Sequence, residues 1–212
     1  MTTIGIIGAG HVGESIAKAA IANGYDVILS NTADPESLAG LVEKLGPHAS
    51  AATPADAAAR CDFAVVAIPI TTIDQVPVEP LAGKVVLTTI NYFPDRLGHI
   101  AAIDDHTTTA PGLLQAHLPT SKVVRAFSMI DAADMSGDGH PKGDPKRRAL
   151  ALAGDDPEAK KLVAGLYDQF GFDTVDLGAL DQSWRVDAGQ KAFVTHQNVA
   201  QLEENVANAE RP

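Results

Sequence analysis

An α/β fold with a doubly wound parallel sheet and a small α/β C-terminal part is predicted by three observations. The first is the glycine-spaced turn Gly8-Ala9-Gly10-His11-Val12-Gly13, set between an apolar run and an amphipathic stretch. The second is the alternation of short apolar runs with helical patterns from residue 4 to residue 88. The third is a further strand–helix–strand pattern near the C-terminus, from Ala149 to Leu177. Alternation of this kind favours a parallel sheet with right-handed crossovers.

Ile4-Gly5-Ile6-Ile7 is almost wholly apolar, as a central strand buried on both faces should be. Glu14 to Ala22 reads as a helix, with Val12, Ile16, Ala19, Ala20 and Asn23 along one stripe. Asn23-Gly24 ends it, and Asp26 to Leu29 forms the second strand. Asp34-Pro35-Glu36 opens a helix through about Leu45, with Asp34 as its expected N-cap, and Gly46-Pro47 stops it. Ala49 to Ala52 reads as a short edge strand, and an alanine-rich helix begins at Pro54. Phe63 to Ile68 and Lys84 to Thr88 are the fourth and fifth strands.

Beyond Thr88 the pattern loosens, with Pro94, Gly98, Pro111, Gly112 and Pro119 punctuating the chain and a short helix over Leu113 to His117. Val123 to Phe127 is the next strand, and Ser136 to Lys146 reads as a mobile surface loop without apolar residues. Ala149 to Ala153 is a strand, Asp156-Pro157-Glu158 caps a helix, Phe172 to Leu177 is the last strand, and about His196 to Ala209 is helical. The expected division is residues 1–122, a nucleotide-binding domain, and residues 123–212, a smaller part that closes a cleft for a second substrate.

The glycine turn points to chemistry. In a strand–turn–helix of this spacing Gly8 makes the tight turn, Gly10 admits a pyrophosphate to the backbone, and Gly13 lets the helix pack on the strand. The free amides and dipole of the helix start favour the pyrophosphate charge, so Gly8, Gly10, His11, Val12 and Gly13 are the expected Rossmann-type dinucleotide contacts. The second strand ends in Ser30-Asn31-Thr32 without a carboxylate at its tip. Two hydroxyls and an amide can donate to a 2′-phosphate, which favours NADP over NAD. Ile68 and Pro69 at the end of the fourth strand, and Asn91 after the fifth, should face the ribose and nicotinamide at the carboxyl edge of the sheet. Asn91 and Ser128, from the ends of the fifth and sixth strands, are the candidate catalytic pair.

The chain has 212 residues, 45% hydrophobic, with a mean hydropathy of +0.02 and a formal net charge of −11. That charge argues against nucleic-acid and anionic-membrane partners. Cys61 is the only cysteine, so neither a disulfide framework nor a thiolate metal site is expected. The seven histidines lack metal-ligand spacing, and no Gly-x-Ser-x-Gly elbow occurs. No targeting segment or membrane-length apolar stretch is read, so a soluble, cytoplasmic protein is expected. The oligomeric state, a homodimer included, stays open.

Several motifs together resemble the F420-dependent NADP oxidoreductase family: IGIIGAGHVGESIAKAAIANGYDVILSN, SNTADPESL, Ala67-Ile68-Pro69, SKVVRAFSMI, LAGDDPEAKKLV, Thr174 to Gly178, and Ser183-Trp184-Arg185. The same small fold looks like the cytosolic domain of metalloreductases that use NADPH and flavin. The resemblance implies a Rossmann domain, an NADP cofactor, and hydride exchange with coenzyme F420 or a similar flat acceptor. The family's phosphate-binding Arg falls on Ala33 of this sequence, which weakens the preference for NADP. Hydride transfer needs positioning and a dry pocket more than an acid–base residue. Trp184 could stack on a flat ring or anchor the C-terminal helix, and Arg185 could meet a phosphate or an acidic substrate. Two other functions fit the same features: NADPH-dependent reduction of a small carbonyl or imine, which wants a proton donor beside the acceptor, and a non-catalytic NADP(H) sensor. His106 and His117, in a loop and a helix, are weaker candidates for a catalytic role.

Overall fold

The computed structural model describes residues 1–211. Eight strands form one sheet in the order β3-β2-β1-β4-β5-β6-β7-β8. They are β1 (Thr3–Ile7), β2 (Asp26–Ser30), β3 (Ala49–Ala51), β4 (Phe63–Val66), β5 (Val85–Thr88), β6 (Lys122–Arg125), β7 (Ala149–Gly154) and β8 (Asp173–Asp176). The first six pair in parallel, and their order is that of a dinucleotide-binding sheet. Strand order reverses between β1 and β4, and this switch point opens at the carboxyl edge.

The helices are α1 (His11–Ala22), α2 (Ala39–Leu45), α3 (Pro54–Arg60), α4 (Pro94–Leu97), α5 (Ala101–Asp104), α6 (Ala110–His117), α7 (Ala132–Met135), α8 (Pro157–Phe170) and α9 (Val199–Ala207). Both faces of the sheet are covered, which is why its central strands are apolar on both sides. On one face Ile4, Ile6 and Leu29 pack with Ile16 of α1, in a core that continues to Val163 and Tyr167 of α8. On the other, Ile7, Val66 and Val86 pack with Ala58 of α3 and with Leu114 of α6 and the adjoining Leu118.

The expected doubly wound α/β fold is present; within its mostly parallel sheet β7 pairs antiparallel with β6, while β8 runs parallel to β7. The stretch from β6 to β7 holds only the four-residue α7, so no crossover helix carries the chain back across the sheet. The helix expected from Asp34 starts as a 3-10 turn, Pro35–Leu38, before α2. Asp34 makes no side-chain cap there, whereas the Asp156 carboxylate accepts the Ala159 amide at 2.8 Å. The polar stretch 136–146 is tied to its surroundings: the His140 amide donates to the Gly171 carbonyl at 3.0 Å, its carbonyl accepts from Arg147 at 2.8 Å, and Asp138 lies 3.6 Å from the buried Arg148. β6 is hydrogen-bonded to β5 along its length, so the sheet is continuous across residue 122.

Candidate functional site: a nucleotide cleft and a neighbouring pocket

The glycines of the first turn differ in what surrounds them. Gly8 has φ +107°, and a Cβ there would run into the Ala67 carbonyl. A Cβ on Gly13 would run into the Gly8 carbonyl. These two glycines hold the turn against β4 and α1 against the turn. Gly10 is the exception: its backbone is extended, and a Cβ would meet nothing within 4 Å. It faces open space, the cradle a pyrophosphate needs.

The first helical bond of α1 runs from the Glu14 amide to the Gly10 carbonyl at 2.8 Å, and no side chain caps this end. The first amides of the helix therefore have no intrahelical partner and stand ready for an anion. In front of them lies a cleft of about 470 Å³, lined by Gly8, Ala9, Gly10, Asn31, Thr32, Ile68, Pro69 and Thr72 among others, with no charged side chain in its wall. The residues present fit a dinucleotide whose phosphates are met by backbone.

Of the residues singled out in the sequence, Gly8, Gly10, Asn31, Thr32, Ile68 and Pro69 line this cleft. His11 is exposed, Val12 packs against the core, and neither lines the cleft. Ser30 is a correction. It is fully buried, and its Oγ donates to the Ile6 carbonyl at 3.1 Å, so its hydroxyl ties β2 to β1. β2 is covered on both faces, so its last residue is buried whichever way the pleat turns it. Asn31 accepts from the Ala33 amide and donates to Ser37 Oγ, which leaves the exposed Thr32 hydroxyl as the free group of this turn.

Asn91 and Ser128 do come together, around a residue that the sequence reading passed over. Arg125 ends β6 with 0% exposure. Its Nε donates to Ser128 Oγ at 2.6 Å and its Nη2 to Asn91 Oδ1 at 2.8 Å. Its Nη1 donates to the Ser183 carbonyl at 3.0 Å and pairs with Asp187. Asn91 Nδ2 in turn donates to the Ser128 carbonyl at 2.8 Å. Both polar ends of Asn91 and the Ser128 hydroxyl are therefore engaged within the protein, and the arrangement positions loops. The signal in the sequence was an arginine inside the apolar run Val123-Val124-Arg125-Ala126-Phe127, where a buried charge needs partners.

Asp187 also borders a second cavity of about 420 Å³, reached from the carboxyl end of β5. Tyr92, His99, Ile103 and Asp104 line one side, and Trp184, Ala188 and Arg211 the other. Tyr92 Oη donates to Asp104 Oδ1 at 2.8 Å and accepts from the Ile100 amide at 2.9 Å. His99 Nδ1 lies 3.0 Å from Asp104 Oδ2. The bond from Tyr92, followed by that from His99, holds the Asp104 carboxyl below the usual carboxylate range. Trp184 carries the guanidinium groups of Arg185 and Arg211 over its ring at 4.7 and 5.4 Å, which compete with any flat ligand for its faces. Arg185 itself donates to the Val206 carbonyl of α9.

His117 has a structural partner, the Val76 carbonyl at 2.8 Å, while His106 borders the second cavity. Cys61 is buried beside Gly5, and burial pushes its thiol up, as suits a structural cysteine. No group of three or more potential metal ligands occurs among the described residues. No helix among them is long and apolar enough to cross a membrane.

Residues 3–92 match the family model for NADP oxidoreductase, coenzyme F420-dependent. The rat metalloreductase STEAP3 (Rattus norvegicus) is 26% identical over 188 residues, covering 87% of this chain but only 36% of that protein's length. A hypothetical protein from Sinorhizobium meliloti superposes with a TM-score of 0.76 at 29% identity, over 93% of this chain and 95% of that one. An Arthrobacter protein assigned as an F420-dependent NADP-reductase gives 0.74 at 26% identity, over 86% and 87% of the two chains.

Proposed function

From the F420-dependent NADP oxidoreductase match of residues 3–92, we propose that this chain is an NADP(H)-dependent oxidoreductase acting on coenzyme F420 or a similar flat acceptor. The observation that carries the reading is the uncapped start of α1 beside a glycine with open space in front of it, within an uncharged cleft at the switch point of the sheet. Bound there, the reduced nicotinamide would supply a hydride.

The chain's own contributions are binding and orientation. The amides of α1 and Gly10 receive the pyrophosphate. Thr32, with the Asn31 turn behind it, meets the adenosine ribose, and the lack of a carboxylate in the cleft wall spares a 2′-phosphate from repulsion. Ile68 and Pro69 pack the nicotinamide side, and the acceptor enters over the loop after β5, beneath the C-terminal segment. Asn91 and Ser128 act by setting that loop through Arg125.

The test is an absorbance difference experiment with NADPH and oxidised F420, following loss of the deazaflavin band, alongside calorimetry with NADP and NAD. Binding of NADP together with F420 bleaching is expected. Absence of nucleotide binding would refute the reading.

A further inference from the structure

We propose that the second cavity, between the loop after β5 and the C-terminal segment, is a binding site for a small monocarboxylate with an apolar body. The inference goes beyond the oxidoreductase reading and does not rest on it, because it concerns this cavity alone and its test uses no nucleotide. At about 420 Å³ the cavity has the size of a small-molecule site. Tyr92, Pro94, Ile103, Trp184 and Ala188 give it largely apolar walls, so the body of its ligand must be apolar too.

The head group follows from which polar groups of the wall are already paired. Both oxygens of Asp104 are engaged, by the Tyr92 hydroxyl at 2.8 Å and by the His99 ring at 3.0 Å. Asp187 pairs with Arg125, whose side chain is buried. These carboxylates have their partners inside the protein, and an entering cation would have to displace them. Gln190 likewise uses its amide to hold the Glu210 carbonyl at 2.7 Å, which fixes the chain just before Arg211.

Arg211 differs. Its Nη1 donates to the His106 carbonyl at 3.2 Å, and it has no carboxylate partner among the described residues. Most donors of its guanidinium fork are therefore unspent. The contact with His106 sets it beside the 106–109 segment, where Thr109 adds a second donor. Thr109 is 2% exposed and borders the cavity; its Oγ accepts the Gly112 amide at 3.2 Å, and its hydroxyl proton has no acceptor among the described residues. Donors without acceptors beside apolar walls call for an anion on an apolar body. The planar fork matches a carboxylate and carries one charge. A phosphate dianion would bring a second charge toward Asp104 and Asp187, and an amine would meet Arg211 itself.

The test titrates the full chain with hexanoate, hexylamine and hexyl phosphate, which share one apolar chain and differ in head group. Fluorescence of Trp184, the only tryptophan, follows occupancy in the wild type, and amide shifts at residues 104–112 and 184–190 locate the bound molecule. Hexanoate should saturate with a Kd on the order of 1 mM, and the other two should bind at least about tenfold more weakly. Arg211 is exposed, so its substitution leaves the core untouched. Calorimetry serves for the variants, because Arg211 touches the reporting ring. Arg211→Gln should weaken hexanoate about tenfold, and Arg211→Glu should abolish its binding and favour hexylamine. No saturable binding of hexanoate, tighter binding of hexylamine or hexyl phosphate to the wild type, shifts confined to other residues, or hexanoate affinity unchanged in either variant overturns the assignment. None of these outcomes touches the oxidoreductase reading, which nucleotide calorimetry tests separately.

Discussion

Gly10 separates binding from folding in a way that its neighbours cannot. Substituting Gly8 or Gly13 drives a Cβ into backbone carbonyls, so a lost activity there would report a broken turn. Gly10 has room for a side chain, and its extended backbone is one that valine prefers. Gly10→Val should therefore leave the thermal midpoint nearly unchanged and lower NADP affinity by at least 100-fold, because the isopropyl group fills the space the pyrophosphate needs. Calorimetry beside a thermal melt measures both, and unaltered affinity would remove the phosphates from this turn. Cofactor preference can be probed at the same scale. Since Ser30 is buried, aspartate there would test folding; Thr32→Asp and Ala33→Arg are the informative changes. The first should favour NAD and the second NADP, each by about tenfold in the affinity ratio, the worth of one charged contact at an exposed site.

Among the elements, the end of β6 shows how local geometry is bought by tertiary packing. Phe127 has φ +53°, a conformation that costs about 1 kcal/mol for a residue with a Cβ. It is held by Tyr167 of α8, whose Oη accepts the Phe127 amide at 3.0 Å and donates to the Ala151 carbonyl at 2.9 Å. The rings of the two residues also meet edge to face at 4.8 Å. Complete burial raises the Tyr167 phenol, which stays protonated and keeps both bonds. Tyr167→Phe should lower stability by about 1–3 kcal/mol in urea unfolding, since one buried amide and one carbonyl lose their partner. Loss below about 0.5 kcal/mol would mean that the ring alone holds the turn. Strand and helix positions were legible in the sequence because periodicity and capping are local. The left-handed turn at Phe127 was not, because its cause sits 40 residues away.

Electrostatics between elements follows the same division. Glu14 of α1 accepts from Lys18 and from Lys44 of α2, and these bonds hold its carboxyl at about 2. Its folded value lies below the ordinary 4.5, so the stability it contributes is complete above pH 4.5 and disappears as the pH falls toward 2. Lys44 is 63% exposed and salt screens the pair, so Glu14→Gln should flatten only a small part of the acid limb of a stability–pH curve, and less at 1 M salt. An acid limb identical in Glu14→Gln and the wild type at low salt would assign it to other carboxylates.

At the scale of the whole molecule, the glycine turn and the strand–helix alternation as far as β5 were legible because nucleotide-binding sheets repeat one local pattern. The joining of the C-terminal segment to that sheet was not, because it depends on contacts distant in sequence: two buried arginines, Arg125 and Arg148, bonded to that segment, the bond from the Ala149 amide to the Gln197 carbonyl, and packing of Val186, Ala192 and Leu202. Arg125 bonds Asn91 after β5, Ser128 after β6, and the 180–187 segment through Ser183, Val186 and Asp187. The sequence pointed to Asn91 and Ser128 as a pair from distant regions, and the structure brings them together at a guanidinium. A buried ion pair adds little net stability over an apolar substitute, but removing one partner strands the other. Arg125→Ala should cost about 3–5 kcal/mol, as Asp187 loses its cation and two backbone carbonyls lose a donor. Arg125→Lys keeps the charge without the fork that reaches three segments at once, so it should retain the fold while loosening the 183–187 segment. Hydrogen exchange resolves this: faster exchange at residues 183–190 with unchanged protection in β1, β4 and β5 is expected. Equal protection in both regions would show that packing around Val186 and Ala192, not Arg125, joins the C-terminal segment to the sheet.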